Sequence, residues 1–158
     1  KPGPIQSFGN APGAALYRYA NTADAMWGYL GAREGRDWTF AGRWAARTDD
    51  ALSWVPARLT ALLLCLPRAL PALRPLPAQA RLTPSPNSGW PMAAMALVLG
   101  VRLAKPGVYT LHPYGRRPQA RDTARALREA AGVVWAIVLM AFIALAAAVA
   151  AAWAGPTP

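Results

Sequence analysis

Residues 131–154 read Ala-Gly-Val-Val-Trp-Ala-Ile-Val-Leu-Met-Ala-Phe-Ile-Ala-Leu-Ala-Ala-Ala-Val-Ala-Ala-Ala-Trp-Ala, an unbroken stretch without a charge. As a helix rising about 1.5 Å per residue it spans roughly 35 Å. That is enough to cross a hydrocarbon layer of about 30 Å. A core helix of a water-soluble protein would carry a polar face at this length, and this run has none. Trp135 and Trp153 sit near its two ends, where interfacial aromatics are enriched. The run is at the wrong end of the chain for a signal peptide. The fold class expected is therefore an all-α integral membrane protein with one clear C-terminal transmembrane helix.

Charge sets its orientation. Between residues 102 and 128 lie Arg102, Lys105, Arg116, Arg117, Arg121, Arg125 and Arg128, whereas only uncharged Gly155-Pro-Thr-Pro follows the run. Basic residues stay on the cytoplasmic side, so the C-terminus is expected across the membrane and residues 1–130 facing the cytoplasm. Upstream, residues 57–73 hold a second apolar stretch, Leu59-Thr-Ala-Leu-Leu-Leu-Cys-Leu66, flanked by Arg58, Pro67, Arg68 and Pro71. It is too short to span, so a re-entrant, interfacial or protein-buried helix is expected, ended by the prolines at 67, 71, 75 and 77 in an extended connector. Pro91 suits a helix start and predicts a short helix over residues 92–103. Helices are expected also over residues 14–26, 44–52 and 119–130, joined by Pro/Gly-rich loops. The segment 28–42 reads as a polar loop, and no strand alternation is evident.

The composition excludes several classes. With 17 Lys+Arg against 7 Asp+Glu, the chain carries a net charge of +10 although 54% of it is apolar. Its mean hydropathy of +0.17 is too high for a disordered chain. One cysteine, Cys65, cannot make a disulfide scaffold, and one cysteine with one histidine cannot close a Cys/His zinc shell. Cys65 reads as packing rather than as a nucleophile. There is no phosphate-binding P-loop, dinucleotide fingerprint, nucleophile elbow or His-Glu-x-x-His. The arginines are not interleaved with aromatics, so nucleic acid is not an expected partner. The positive charge favours an anionic partner instead, whether a lipid surface or a phosphorylated substrate.

Two polar blocks interrupt the apolar background. The first, Arg47-Thr-Asp-Asp-Ala-Leu-Ser-Trp-Val-Pro-Ala-Arg-Leu-Thr60, sets adjacent carboxylates Asp49 and Asp50 ahead of Arg58. Carboxylates hold Mg²⁺ with few protein ligands and many substrate oxygens, and arginine grips phosphate or carboxylate with two donors. The plain alternative is that Asp49 and Asp50 cap or solvate a helix start. The second block is Ser85-Pro-Asn-Ser-Gly-Trp-Pro-Met-Ala-Ala-Met95. It is a polar turn running into a helix, whose first N–H groups could receive an anion, or else an ordinary turn with an N-cap.

Taken in order, these blocks resemble the adenosylcobinamide-phosphate synthase family (CobD/CbiB), membrane enzymes of cobalamin biosynthesis. Asn21-Thr-Ala-Asp24-Ala-Met26 with Gly28-Tyr29 is similar to the family's Asn-Thr-Leu-Asp-Ser-Met-x-Gly-Tyr. Arg47-Thr-Asp49-Asp50 with Pro56-Ala-Arg58-Leu59-Thr60 resembles Arg-Leu-Asp-Asp … Pro-Ala-Arg-Leu-Thr. Ser85-Pro-Asn87-Ser-Gly89-Trp90-Pro91, followed by Leu99-Gly100-Val101-Arg102-Leu103, resembles Ser-Pro-Asn-Ala-Gly-Trp-Pro and its Leu-Gly-Val-Arg-Leu continuation. The chain departs at Met92, where the family often has Glu, and at Ala104-Lys105, where Gly-Gly is common.

The resemblance implies a multi-pass protein of the bacterial inner membrane, about twice this length, with its site facing the cytoplasm. It implies an ATP-consuming amide synthesis between adenosylcobyric acid and aminopropanol phosphate or a related amino alcohol phosphate. On that reading Asp49, Asp50 and Arg58 are catalytic, and Asp49 and Asp50 hold Mg²⁺ or orient the amine. Arg47, Ser85, Asn87, Gly89, Asn21 and Asp24 bind substrate. Two other readings compete. One is a non-catalytic, AmpE-like signalling relative of the same superfamily, which has no need of Asp49, Asp50, Arg58 and Ser-Pro-Asn. The other is a basic juxtamembrane lipid-binding module, which leaves both polar blocks unexplained.

Overall fold

A computed structural model describes residues 11–28, 32, 33, 35–37, 39–66 and 70–153. The chain divides into two compact units, Lys1–Pro56 and Ala57–Pro158.

In the first unit, helix α1 spans Ala11–Trp27. Strands β1 (Ala32–Arg33) and β2 (Arg36–Asp37) form a minimal antiparallel hairpin in the segment expected to be loop. Gly35 at its tip has φ of 76°, a left-handed turn conformation that glycine adopts without a Cβ clash. Helix α2 follows, Thr39–Cys65. The Asp37 carboxylate accepts the Thr39 N–H at 2.9 Å and so satisfies a donor at the helix start. Hydrogen bonding from the Thr39 side chain, together with this N–H, holds the Asp37 carboxyl below its ordinary pKa.

Helix α2 corrects the expected boundaries. It begins well before residue 44 and runs through Pro56 to Cys65, joining two segments that the sequence separates. Pro56 has no N–H to give to the carbonyl one turn earlier, and the division between the units falls there. Asp49 and Asp50 lie in the middle of α2, which removes the alternative that they cap a helix start.

The second unit holds the core. Ala61, Leu64 and Cys65 of α2 are buried with Ala72, Leu76, Ala80, Ala93, Ala94, Ala96, Leu111 and Val133. The many alanines let the helices approach closely. Cys65 is a free, fully buried thiol, as expected of packing. The proline-rich stretch is not the extended connector expected. It forms a 3₁₀ turn at Leu70–Leu73 and a short helix, α3 (Leu76–Ala80). Pro77 sits in the first turn of α3, where the missing N–H costs nothing.

Helix α4 spans Gly89–Leu99, shorter at its end than the expected 92–103. It stops at Gly100, whose φ of 65° is left-handed. The Gly100 and Val101 N–H groups donate to the Leu97 and Ala96 carbonyls at 3.2 and 2.9 Å, a Schellman closure. Arg102 therefore lies beyond the helix and does not complement its dipole. Strands β3 (Leu103–Lys105) and β4 (Tyr109–Leu111) follow as a second antiparallel hairpin. The fold is thus mostly helical, with two short hairpins where an all-α chain was expected.

After β4 the chain comes back beside α4. His112 takes a positive φ of 48° and gives its backbone N–H to Gln79 Oε1 at 2.6 Å. Arg116 then pairs with the exit of α4: its N–H donates to the Gly100 carbonyl, and the Arg102 N–H donates to its own. Helix α5 spans Ala120–Trp153, merging the basic helix and the apolar run into one rod. Asp122 secures its first turn. The carboxylate accepts the Gln119 N–H at 2.8 Å, and Arg116 grips it with two donors at 2.6 and 2.5 Å. The Arg116 guanidinium and the Gln119 N–H hold the Asp122 carboxyl well below the usual carboxylate range. Among the described residues α5 is the one helix long and apolar enough to cross a membrane, and almost none of its apolar part is buried.

Candidate functional site

The expected site residues fall into two groups, one in each unit. In the first, the Asn-Thr-x-Asp block of α1 meets the Arg-x-Asp-Asp block of α2. Asn21 Nδ2 donates to Asp49 Oδ1 at 3.2 Å across 28 residues of sequence. Partial burial, with the nearby Asp49 charge, raises the Asp24 carboxyl above its ordinary pKa. Gly28 explains part of this arrangement. A Cβ there would overlap the Asp24 carboxylate and the Asp24 carbonyl oxygen, so only glycine leaves that carboxylate its place.

Two carboxylates that repel each other beside an amide make a set of hard oxygen donors. Mg²⁺ takes one or two such carboxylates and completes its shell with water and substrate phosphates, so the donor chemistry fits that ion. Among the described residues no cluster of three or more His, Cys, Asp or Glu could hold a metal. Asp50 is half-buried one residue further on, where a helix turns its side chain about 100° from that of Asp49. Arg47 lines a separate small cavity of about 150 Å³ with Phe40, Arg43 and Trp44.

In the second unit, the Pro-Ala-Arg and Ser-Pro-Asn blocks converge. Arg58 Nη1 donates to Asn87 Oδ1 at 3.0 Å, and the guanidinium lies 4.7 Å from the centre of the Trp90 ring. Asn87 is buried, which fixes the acceptor, while the flat guanidinium stacks on the indole face. Arg58, Arg81, Thr83, Ser85 and Trp90 line a cavity of about 350 Å³. Two arginines and a serine hydroxyl at one opening are chemistry suited to an anion.

The turn that builds this cleft spends its own backbone donors. Ser85 Oγ accepts the Asn87 and Ser88 N–H groups at 3.3 and 3.2 Å. The Trp90 N–H goes to the Asn87 carbonyl, and Pro91 has none to give. Of the N–H groups around the start of α4, those of Asn87, Ser88 and Trp90 are thus taken up within the turn itself. Thr83 Oγ1 holds the loop by donating to the Ala80 and Ser85 carbonyls at 3.2 and 3.0 Å. Gly89 serves the packing. A Cβ there would overlap the Ala80 carbonyl oxygen and Thr83 Oγ1, so glycine lets α4 start directly against the end of α3.

Sequence reasoning did not single out Gly28, Arg81, Thr83 and Trp90 as site residues. Gly28 and Trp90 stand inside the quoted motifs, so their position in the pattern was a usable signal. Arg81 and Thr83 carried none.

The sequence profile of the family described as CobD/Cbib protein matches residues 3–140. A protein of Thermococcus kodakarensis named "Probable cobalamin biosynthesis protein CobD" is 47% identical over 135 residues, covering 84% of this chain and 42% of the relative. The "Cobalamin biosynthesis protein CobD" of Stutzerimonas stutzeri is 48% identical over 140 residues, covering 82% of this chain and 45% of the relative. A Methanothrix thermoacetophila relative with the first of these names is 43% identical over 117 residues, 72% of this chain and 36% of its own. The chain thus spans less than half the length of these relatives. No solved structure matches it. The profile covers both residue groups and the junction between them, and the chain belongs to the CobD/Cbib protein family.

Proposed function

We propose that this protein acts in cobalamin biosynthesis as a membrane-bound, amide-forming ligase. It would join the carboxylate of adenosylcobyric acid to the amine of aminopropanol phosphate, or a related amino alcohol phosphate, with ATP consumed. One observation carries the reading. Arg58, on the wall of a cleft lined by two arginines, is held at 3.0 Å by the buried Asn87, 29 residues away in sequence.

The substrates are anions, and the cleft has the chemistry to hold one. Arg58, set by Asn87 and Trp90, offers donors to a phosphate or carboxylate, with Arg81 beside it and the Ser85 and Thr83 side chains on the wall. In the other unit, Asp49 with Asp24 or Asp50 would hold Mg²⁺, and Asn21 keeps Asp49 in place. Mg²⁺ there would neutralise phosphate charge; Asp49 and Asp50 could equally orient the amine. The uncharged part of α5 is read as crossing the membrane, with the arginine-rich end and the cleft on the cytoplasmic side. Arg47 would add positive charge for substrate.

Complementation tests the reading. A bacterial strain lacking its own synthase, supplied with cobyric acid, should grow when it carries the wild-type protein. It should not grow with Arg58→Ala or Asp49→Ala expressed at equal level in the membrane. Normal growth of the Arg58→Ala strain would overturn the assignment.

A further inference from the structure

A second cavity, of about 490 Å³, lies wholly within the second unit, between the end of α2 and the start of the apolar run of α5. It contains none of the motif residues. Arg125, Arg128, Gly132 and Ala136 all line it; a spacing of three or four residues keeps them on one face of the helix. Gly132 and Ala136 are small, and a Cβ built at Gly132 meets nothing within 4 Å. The missing side chains thus open the groove. Leu63 of α2 and Leu66, just past its end, give it an apolar wall.

The lining changes character along the helix. Arg125, Arg128 and Glu129 line the polar end, and from Gly132 onward the lining is apolar within the uncharged run. A ligand that fits must be anionic at one end and aliphatic at the other. A free phosphate would use the arginines and leave the leucines and Ala136 facing water. The level of the groove fits too. Arg125 and Arg128 stand within two turns of where the uncharged run begins, which is where headgroups lie if α5 spans the bilayer. Basic pockets between helices on the cytoplasmic side suit phospholipid headgroups.

We infer that this groove binds an anionic phospholipid. Arg125 and Arg128 hold its headgroup phosphate, and its first acyl carbons lie along Leu63, Gly132 and Ala136. The inference rests on the membrane-spanning reading of α5 given above.

Native mass spectrometry of the detergent-solubilised protein tests it, with phosphatidylglycerol, phosphatidylcholine and inorganic phosphate as probes. The wild-type protein should retain phosphatidylglycerol at least tenfold over phosphatidylcholine. Both Arg125→Gln/Arg128→Gln and Gly132→Leu, which fills the groove, should lower retention about tenfold, and millimolar inorganic phosphate should not displace the lipid. Equal retention of the two lipids, unchanged retention in both variants, or displacement by inorganic phosphate would overturn the proposal. Alkaline carbonate extraction of the same membranes separates the two readings. Release of the wild-type protein would defeat the spanning helix and the lipid site together. Retention in the membrane with no lipid preference would defeat the lipid site alone.

Discussion

Arg58 is the residue on which the account depends most. It touches a buried acceptor and an aromatic face at once, and lysine can satisfy neither with the same geometry. Arg58→Lys is expected to lower the rate of amide formation by 10- to 100-fold while leaving the fold intact; a steady-state assay and a thermal melt check the two halves. Asn87→Ala should act in the same direction by freeing Arg58. Asp122 makes a different kind of prediction. Its folded pKa is depressed, so its contribution to stability is present near neutral pH and is lost as the pH falls below about 4. The melting temperature should drop over that acid range, and Asp122→Asn should lower it at pH 7 and flatten the drop. Parallel curves for the two proteins would show that the Arg116 clamp does not stabilise the start of α5.

The glycines decide how the elements meet. Gly89→Ala forces α4 away from the Ala80 carbonyl, an overpacking expected to cost about 2 kcal/mol. Gly100→Ala meets no neighbour but must hold a left-handed φ, so about 1 kcal/mol is expected there. Because a Cβ at Gly89 would press on Ala80 and Thr83 of the cleft wall and one at Gly100 would not, equal expression of the two variants should leave Gly100→Ala the more active. A melt and an activity assay on both check this. The helices of this chain were legible where an apolar, helix-compatible stretch ran unbroken, as in α1, α4 and the apolar part of α5, although the ends of α4 were displaced. The hairpins were not. Three-residue strands such as Leu103–Lys105 are too short to show alternation, and Arg116 holds α4 through backbone atoms that carry no side-chain signal. The prolines near 70–80 misled for a physical reason. Proline breaks a helix in its interior but is tolerated in a first turn, and Pro77 occupies one. Pro56, inside α2, is the opposite case, a proline that an extended helix accommodates.

On the scale of the whole molecule, the opening stretch is helical, as expected, and belongs to a longer helix. The apolar run is the far part of a 34-residue helix whose near part is arginine-rich. Its side chains, among them Leu139, Phe142, Ile143 and Leu145, are exposed, and a chain that leaves so many uncovered needs lipid or further helices around them. A charge placed mid-run should be costly, about 3 kcal/mol for arginine. Phe142→Arg should therefore reduce the fraction of protein that resists alkaline carbonate extraction. The candidate site was legible as motifs and not as geometry. The spacing of Asn21, Asp49, Arg58 and Asn87 cannot say who meets whom. The contacts Asn21–Asp49 and Arg58–Asn87 arise from how α1 meets α2 and how the Ser85 turn meets α2. The most direct measurement is product formation. The purified protein, in lipid, is given adenosylcobyric acid, aminopropanol phosphate, ATP and Mg²⁺, and the corrinoids are resolved by mass spectrometry. Adenosylcobinamide phosphate should appear with wild-type protein and fall about 100-fold with Arg58→Ala. Folded, membrane-inserted wild-type protein that yields no such product, or an Arg58→Ala variant that yields as much, would contradict the account.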